Sequence, residues 1–427
     1  MPPRPPQEER AVGMEIYDTN GDGIGGHIKT RPEDFIVEEE PQLPAPGDGK
    51  QGIARVTAAR WETNDLVETI ASRLGIPAEY VGFAGMKDKQ AVTTQYMSFP
   101  VSMRRVRALD LPRITVEVLY RARKPIYRGQ LAGNHFHVTI RKVTGTRAQT
   151  EAIRRQIIET GGFPNFFGVQ RFGILRPVTH LAGRYIVAGD LERAVMTYVA
   201  CPMPGEDTEC WRVRQWLEGT RDFAGALERY PDGLSYERRM IGYLAEYPGD
   251  WKGALQQLPE SLLRLFVHAY QSWLFNRMLS ERLRRGMHLN EAVPGDLVLS
   301  LDQGEMQQET GIPVTERNLD KINRQIAKYR CLPSAVLIGS EASLATGAMG
   351  AVEHTVLEQE GIDAEDFIIH EMPSLSSHGL RRAVLAPLTT IIMKMEGTSL
   401  RLSFSLPKGS YATCLLREFM KAPIQNY

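Results

Sequence analysis

GFAGMKDKQAVTTQ, residues 82–95, sets one carboxylate, Asp88, between two lysines, Lys87 and Lys89. Val81 to Ala84 reads as a short apolar strand, and Ala91 to Phe99 as a second strand rich in β-branched residues. The polar step between them, Met86-Lys87-Asp88-Lys89-Gln90, holds the carboxylate at a strand end. Two neighbouring ammonium groups offer its negative charge compensation. A positioned, ionised carboxylate with no metal partner in sequence suits a nucleophile or a general base. The same residues also suit a charged surface turn, and spacing by itself leaves both readings open.

Around this stretch, composition sets broad limits. The 427 residues are enough for two or three domains with a sizeable core, and 42% apolar content argues against general disorder. Cys201, Cys210, Cys331 and Cys414 are widely spaced and form no CxxC pair. Neither a zinc knuckle nor a disulfide scaffold is indicated, and reduced thiols in a cytoplasm are expected. No signal-peptide pattern and no apolar run of membrane-spanning length occurs. Net charge is zero, but its distribution is uneven. Residues 104–128 hold eight Lys/Arg against Asp110 and Glu117, whereas residues 351–380 hold seven acids and no Lys or Arg. A basic stripe of this kind neutralises phosphates; it is equally a solvated strand face.

The chain changes character twice. Residues 1–12 are Pro-rich and charged and read as a mobile tail. Residues 113–120 and 135–141 alternate as strands, with Phe136, Val138 and Ile140 on one face of the second and His135, His137 and Thr139 on the other. A helix is expected over 150–159, capped near Thr150. Beyond Gly161 helices dominate, at 191–199, 253–258 and, most clearly, 259–285. Short strands follow at 293–301 and 335–339. From Leu400 the period returns to two, and a helix is expected from an N-cap near Ser410. This pattern predicts an α/β (α+β) chain in which one domain interrupts another.

Several motifs point elsewhere. Asp18, Asn20, Asp22 and Gly23 begin like an EF-hand loop, but the twelfth position is Lys29, where a bidentate acid is required. Gly21, Gly23 and Gly26 fit GxGxxG, but Pro32 follows too soon for the required helix, so a flexible glycine-rich turn is expected. His135 and His137 make His-x-His without a third ligand. A nuclease would need Glu33, Asp34, Glu38 and Glu39 gathered around a metal ion. GFPNFFGVQRFG suits a tightly packed hinge at a domain junction ahead of phosphate contact by its Arg171, and Arg381 and Arg382 suit phosphate contact or an inter-domain ion pair equally well.

The block at 82–95 resembles the signature of the tRNA pseudouridine synthase D (TruD) family. IKTRPEDFIVEE from Ile28, GNHF from Gly133, GFPNFFGVQRFG from Gly162, AYQSWLFNRMLS from Ala269, SHGLRR from Ser377 and FSLPKGSYATCLLREFM from Phe404 follow in the family's order. The stretch 312–340 departs from bacterial versions and implies an archaeal-type member. The resemblance implies a pseudouridine synthase core with a mixed, largely antiparallel sheet over 13–160 and 386–427, interrupted by a family-specific α/β insertion domain over 161–385. It also implies isomerisation of uridine to pseudouridine in tRNA, at position 13, without cofactor or metal. Asp88 would be the nucleophile, attacking either C1′ of the ribose or C6 of the base. Lys29 would be its cation and Asn134 a residue orienting the site. Phe136 would stack on the target base, with Phe35, Phe404, Lys87 and Lys89 around the substrate. Other structured RNAs are further candidate partners, a membrane is not, and oligomeric state is left open. The rival reading is a non-catalytic RNA-binding protein or chaperone on the same fold.

Overall fold

The computed structural model describes residues 3–302, 305–306 and 311–427. They form two compact units. The first comprises Tyr17–Phe163 and Ala386–Tyr427, and the second Arg4–Ile16 and Pro164–Leu385.

The first unit is built on an eight-stranded sheet. Its strands are β1 (Phe35–Pro41), β2 (Pro46–Ala59), β3 (Gly82–Phe83), β4 (Val92–Phe99), β5 (Ile114–Ala122), β6 (Leu131–Ile140), β7 (Ile392–Glu396) and β8 (Ser399–Pro407). The order is β7-β8-β6-β1-β4-β2-β5, with β3 added beside β4. Only β1 and β4 pair in parallel; the other paired strands of this sheet are antiparallel. The sheet is therefore mixed and largely antiparallel.

Period-two patterning decides which face is buried. Phe35, Val37 and Glu39 alternate inward on β1, as do Phe136, Val138 and Ile140 on β6 and Leu400, Leu402, Phe404 and Leu406 on β8. Helix α1 (Thr63–Leu74) is held at its start by the Glu62 carboxylate, which accepts from the Asn64 and Asp65 amides, and ends at left-handed Gly75. It packs Leu66, Val67, Ile70 and Leu74 against Ala54, Val56, Met97 and Phe99. Helix α2 (Arg147–Thr160) begins earlier than the sequence suggests, because Thr146 and Gln149 form a reciprocal capping box. Helix α3 (Ala412–Met420) follows Tyr411 with no side-chain cap, so Ser410 does not play the role expected of it.

The glycine-rich stretch is not a loose turn. The Ile24 and Gly25 amides donate to the Phe419 and Met420 carbonyls. A Cβ on Gly23 would lie 2.2 Å from the Met420 oxygen, so only glycine fits there.

The second unit is mainly helical, with a five-stranded antiparallel sheet. Its longest helix, Glu260–Arg284, buries Phe266, Tyr270, Leu274 and Phe275. The segment expected to be a mobile tail packs on that helix instead, while residues 1–2 lie outside the described residues. Gln7–Ala11 is helical, Glu9, Val12 and Met14 are buried, and Trp273 Nε1 donates to the Ala11 carbonyl at 2.9 Å. Asn276 Nδ2 and Ser280 Oγ donate to the Val12 and Gly13 carbonyls. Arg381 is also internal: its guanidinium donates to Glu353 and Ser334 at 2% exposure, which removes it from phosphate contact. Among the described residues no helix is long and apolar enough to cross a membrane.

Candidate active site

Lys29 sits at φ 54°, between Ile28, which is buried, and the short Pro32–Asp34 helix. Asp34 anchors that turn by accepting two hydrogen bonds from the Arg141 guanidinium, at 2.7 and 2.6 Å. The anchored turn aims the Lys29 side chain inward, where it is only 7% exposed. Its Nζ donates to Asp88 Oδ2 at 2.7 Å and lies 4.8 Å from the centre of the Phe35 ring. Asp88 is 45% exposed at its side chain, and its Oδ1 has no hydrogen-bond partner among the described residues.

The loop bearing Asp88 joins β3 to β4 and is fastened at Lys87. The Lys87 amide donates to Thr63 Oγ1, at the start of α1, at 2.8 Å. Its ammonium, 4% exposed, donates to Glu39 Oε1 at 2.8 Å and to Asn134 Oδ1 at 3.0 Å. Glu39 is fully buried, and its second oxygen accepts from the Tyr96 amide at 3.0 Å. Glu39 and Asn134 meet because they are cross-strand partners in the β1–β6 pair.

The cation on Asp88 is Lys29, as the resemblance implies, and not the two lysines beside it in sequence. Lys87, expected at the substrate, is committed to a buried ion pair, and Lys89 is exposed without a partner among the described residues. Glu39, which the sequence offers only among the acids a nuclease would gather, instead holds the Lys87 ammonium. The signal was present: in Phe35-Ile36-Val37-Glu38-Glu39 it shares a strand face with Phe35 and Val37.

The three aromatic rings come together by register. Phe404 lies opposite Phe136 on paired β8 and β6, and their rings stack at 5.3 Å and 20°. Phe35 meets Phe136 edge-on at 6.1 Å. Phe136 is 7% exposed, Phe35 3% and Phe404 2%. Of the three, Phe136 has the most surface to offer a ligand, and Phe404 supports its other face.

The acids a nuclease would gather do not converge. Asp34 is bound by Arg141 and Glu39 by Lys87, while Glu38 falls on the opposite strand face, 4.0 Å from Arg55. His135 uses both ring nitrogens on Ser403 and Ser405, at 2.9 Å each. Among the described residues no three His, Cys, Asp or Glu side chains are grouped to hold a metal ion.

The site thus defines a protein class: a sheet-borne enzyme centre with one half-exposed carboxylate, a buried lysine holding one of its oxygens, and an aromatic stack below. Over residues 11–419 the chain matches the sequence profile of tRNA pseudouridine synthase D (TruD). It is 38% identical to the "Probable tRNA pseudouridine synthase D" of Methanosarcina acetivorans, over 100% of this chain and 99% of that one. It is 39% identical to the protein of the same name from Natronomonas pharaonis, over 97% of each. The crystal structure of the TruD protein from Methanosarcina mazei superposes with a TM-score of 0.88 at 37% identity, over 99% of both chains. The chain belongs to the tRNA pseudouridine synthase D (TruD) family.

Proposed function

We propose that this chain converts uridine to pseudouridine in tRNA, at position 13, with Asp88 as nucleophile. The observation that carries the reading is the Lys29–Asp88 contact: one carboxylate oxygen is held by an ammonium and the other is open. In the reaction the N1–C1′ bond breaks, the uracil turns, and a C5–C1′ bond forms. C5 gives up its proton and N1 takes one, so nothing is oxidised, reduced or hydrolysed. No cofactor is required for that balance. Asp88 attacks either C1′ or C6, with Lys29 orienting its carboxylate. Lys87, Glu39 and Asn134 fix the loop that carries it.

The target base must leave its stack at a cost of a few kcal/mol. Stacking on Phe136 would return about 1–3 kcal/mol. A cytoplasmic working place and other structured RNAs as further substrates go with this reading. The non-catalytic alternative is disfavoured, because Lys29 and Asp88 are both present and paired. The test is tritium release from tRNA labelled at C5 of uridine, in excess EDTA. Release in step with pseudouridine formation is expected. Binding of the tRNA without release would favour the non-catalytic reading, and release abolished by EDTA would sink the metal-free mechanism.

A further inference from the structure

A groove of about 510 Å³ lies beside β3 in the sheet-bearing unit, outside the residues assigned above. Asn64, Glu68, Glu79, Phe83, Tyr127 and Arg128 line it. Its wall is fixed to the strand that leads to Asp88. The Gly129 amide donates to the Ala84 carbonyl at 2.8 Å, and the Ile126 amide to Ser98 Oγ at 2.9 Å. The two backbones approach so closely that a Cβ on Gly82 would lie 2.3 Å from the Ile126 oxygen.

The groove carries two kinds of recognition chemistry. Tyr127 is 55% exposed, so its ring offers a face on which a base can stack. The Arg128 guanidinium lies 4.3 Å from the centre of the Phe83 ring. Its donors have no hydrogen-bond partner among the described residues. On the other wall Glu68 and Glu79 are exposed carboxylates without partners among the described residues. A cation beside an open ring fits a phosphate and its base. Unpaired acceptors within the same groove fit a base edge that donates.

We propose that this groove holds an unpaired nucleotide of the RNA substrate flanking the target uridine. The proposal rests on the isomerase reading for the identity of that substrate. The base stacks on Tyr127, and an N–H on its edge donates to Glu68 or Glu79. The phosphate faces Arg128. Grooves of this size suit small-molecule-sized ligands.

The test uses Asp88→Asn protein, which keeps the complex static, and fluorescence anisotropy of labelled tRNA. Tyr127→Ala in that background is expected to raise Kd about tenfold, and Tyr127→Phe to restore it. Arg128→Ala is expected to weaken binding and to lower the salt slope by about one. Because Tyr127 is exposed, an unchanged Tm checks that the variants fold. A Kd for Tyr127→Ala within twofold of the parent would overturn the proposal, as would equal weakening on a fully paired RNA. Tritium release by native protein separates the two claims. Tyr127-dependent binding without any release sinks the isomerase reading alone, and release with Tyr127-independent binding sinks the groove alone.

Discussion

Asp88 takes its cation from Lys29, 59 residues away in the chain, while Lys87 and Lys89 beside it do not touch it. Asp88 lies in the loop between β3 and β4, where no periodicity in the sequence says which way a side chain turns. That is why the flanking lysines were legible as charges but their partners were not. Lys29→Met is expected to lower kcat/KM about 10²- to 10³-fold with Tm nearly unchanged, measured by tritium release and thermal melting. Glu39→Gln belongs to a different class. It leaves the Lys87 ammonium in a buried position without an anion. The expected loss is about 3 kcal/mol of unfolding free energy, read by chemical denaturation, accompanied by reduced activity. An unaltered denaturation midpoint would show that this pair does not secure the loop.

At the scale of elements, alternation made much of the sheet readable. The spacing of Phe136, Val138 and Ile140, and of Leu400, Leu402, Phe404 and Leu406, predicts the faces that the register of β6 and β8 brings together. Three successive glutamates follow Val37 in β1, and period two places the middle one, Glu39, inward. Two other segments, expected to be a flexible turn and a mobile tail, take their order from distant backbone. Residues 21–26 rest on the end of α3, and residues 7–14 on the helix Glu260–Arg284. No local pattern reports such partners. Gly23→Ala is expected to cost about 1–3 kcal/mol, because the added Cβ has backbone rather than a pliable side chain in its way. A Tm equal to that of the native protein would contradict the close approach.

For the whole molecule, two groups largely shielded from water, half-buried Asp18 and buried His180, make stability depend on pH in opposite senses. Burial, reinforced by Glu418 and opposed by Lys421, pushes the Asp18 carboxyl up to about 7 from an ordinary value of 3.8. The folded state therefore holds this proton to higher pH than the unfolded chain does. The stability it contributes is full below about pH 3.8 and is lost as pH rises through 7. In the other unit, burial, with a smaller contribution from Arg184, lowers His180 to about 3 from 6.5, beside the rings of Phe172 and Trp273. Here the unfolded chain takes the proton first, so stability is present above about pH 6.5 and is lost as pH falls toward 3. Asp18→Asn is expected to raise Tm at pH 8 and to leave it unchanged at pH 4. His180→Phe is expected to flatten the acid side of the Tm profile. Parallel profiles for native and variant proteins would remove these two groups from the pH response.

The most direct test of the catalytic assignment is single-turnover tritium release from C5-labelled tRNA, comparing native protein with Asp88→Asn at matched tRNA occupancy. Release by the native protein, falling by at least about 10³-fold in a variant that binds and melts like it, is the expected result. Equal release from the two proteins would take the nucleophile's role away from Asp88.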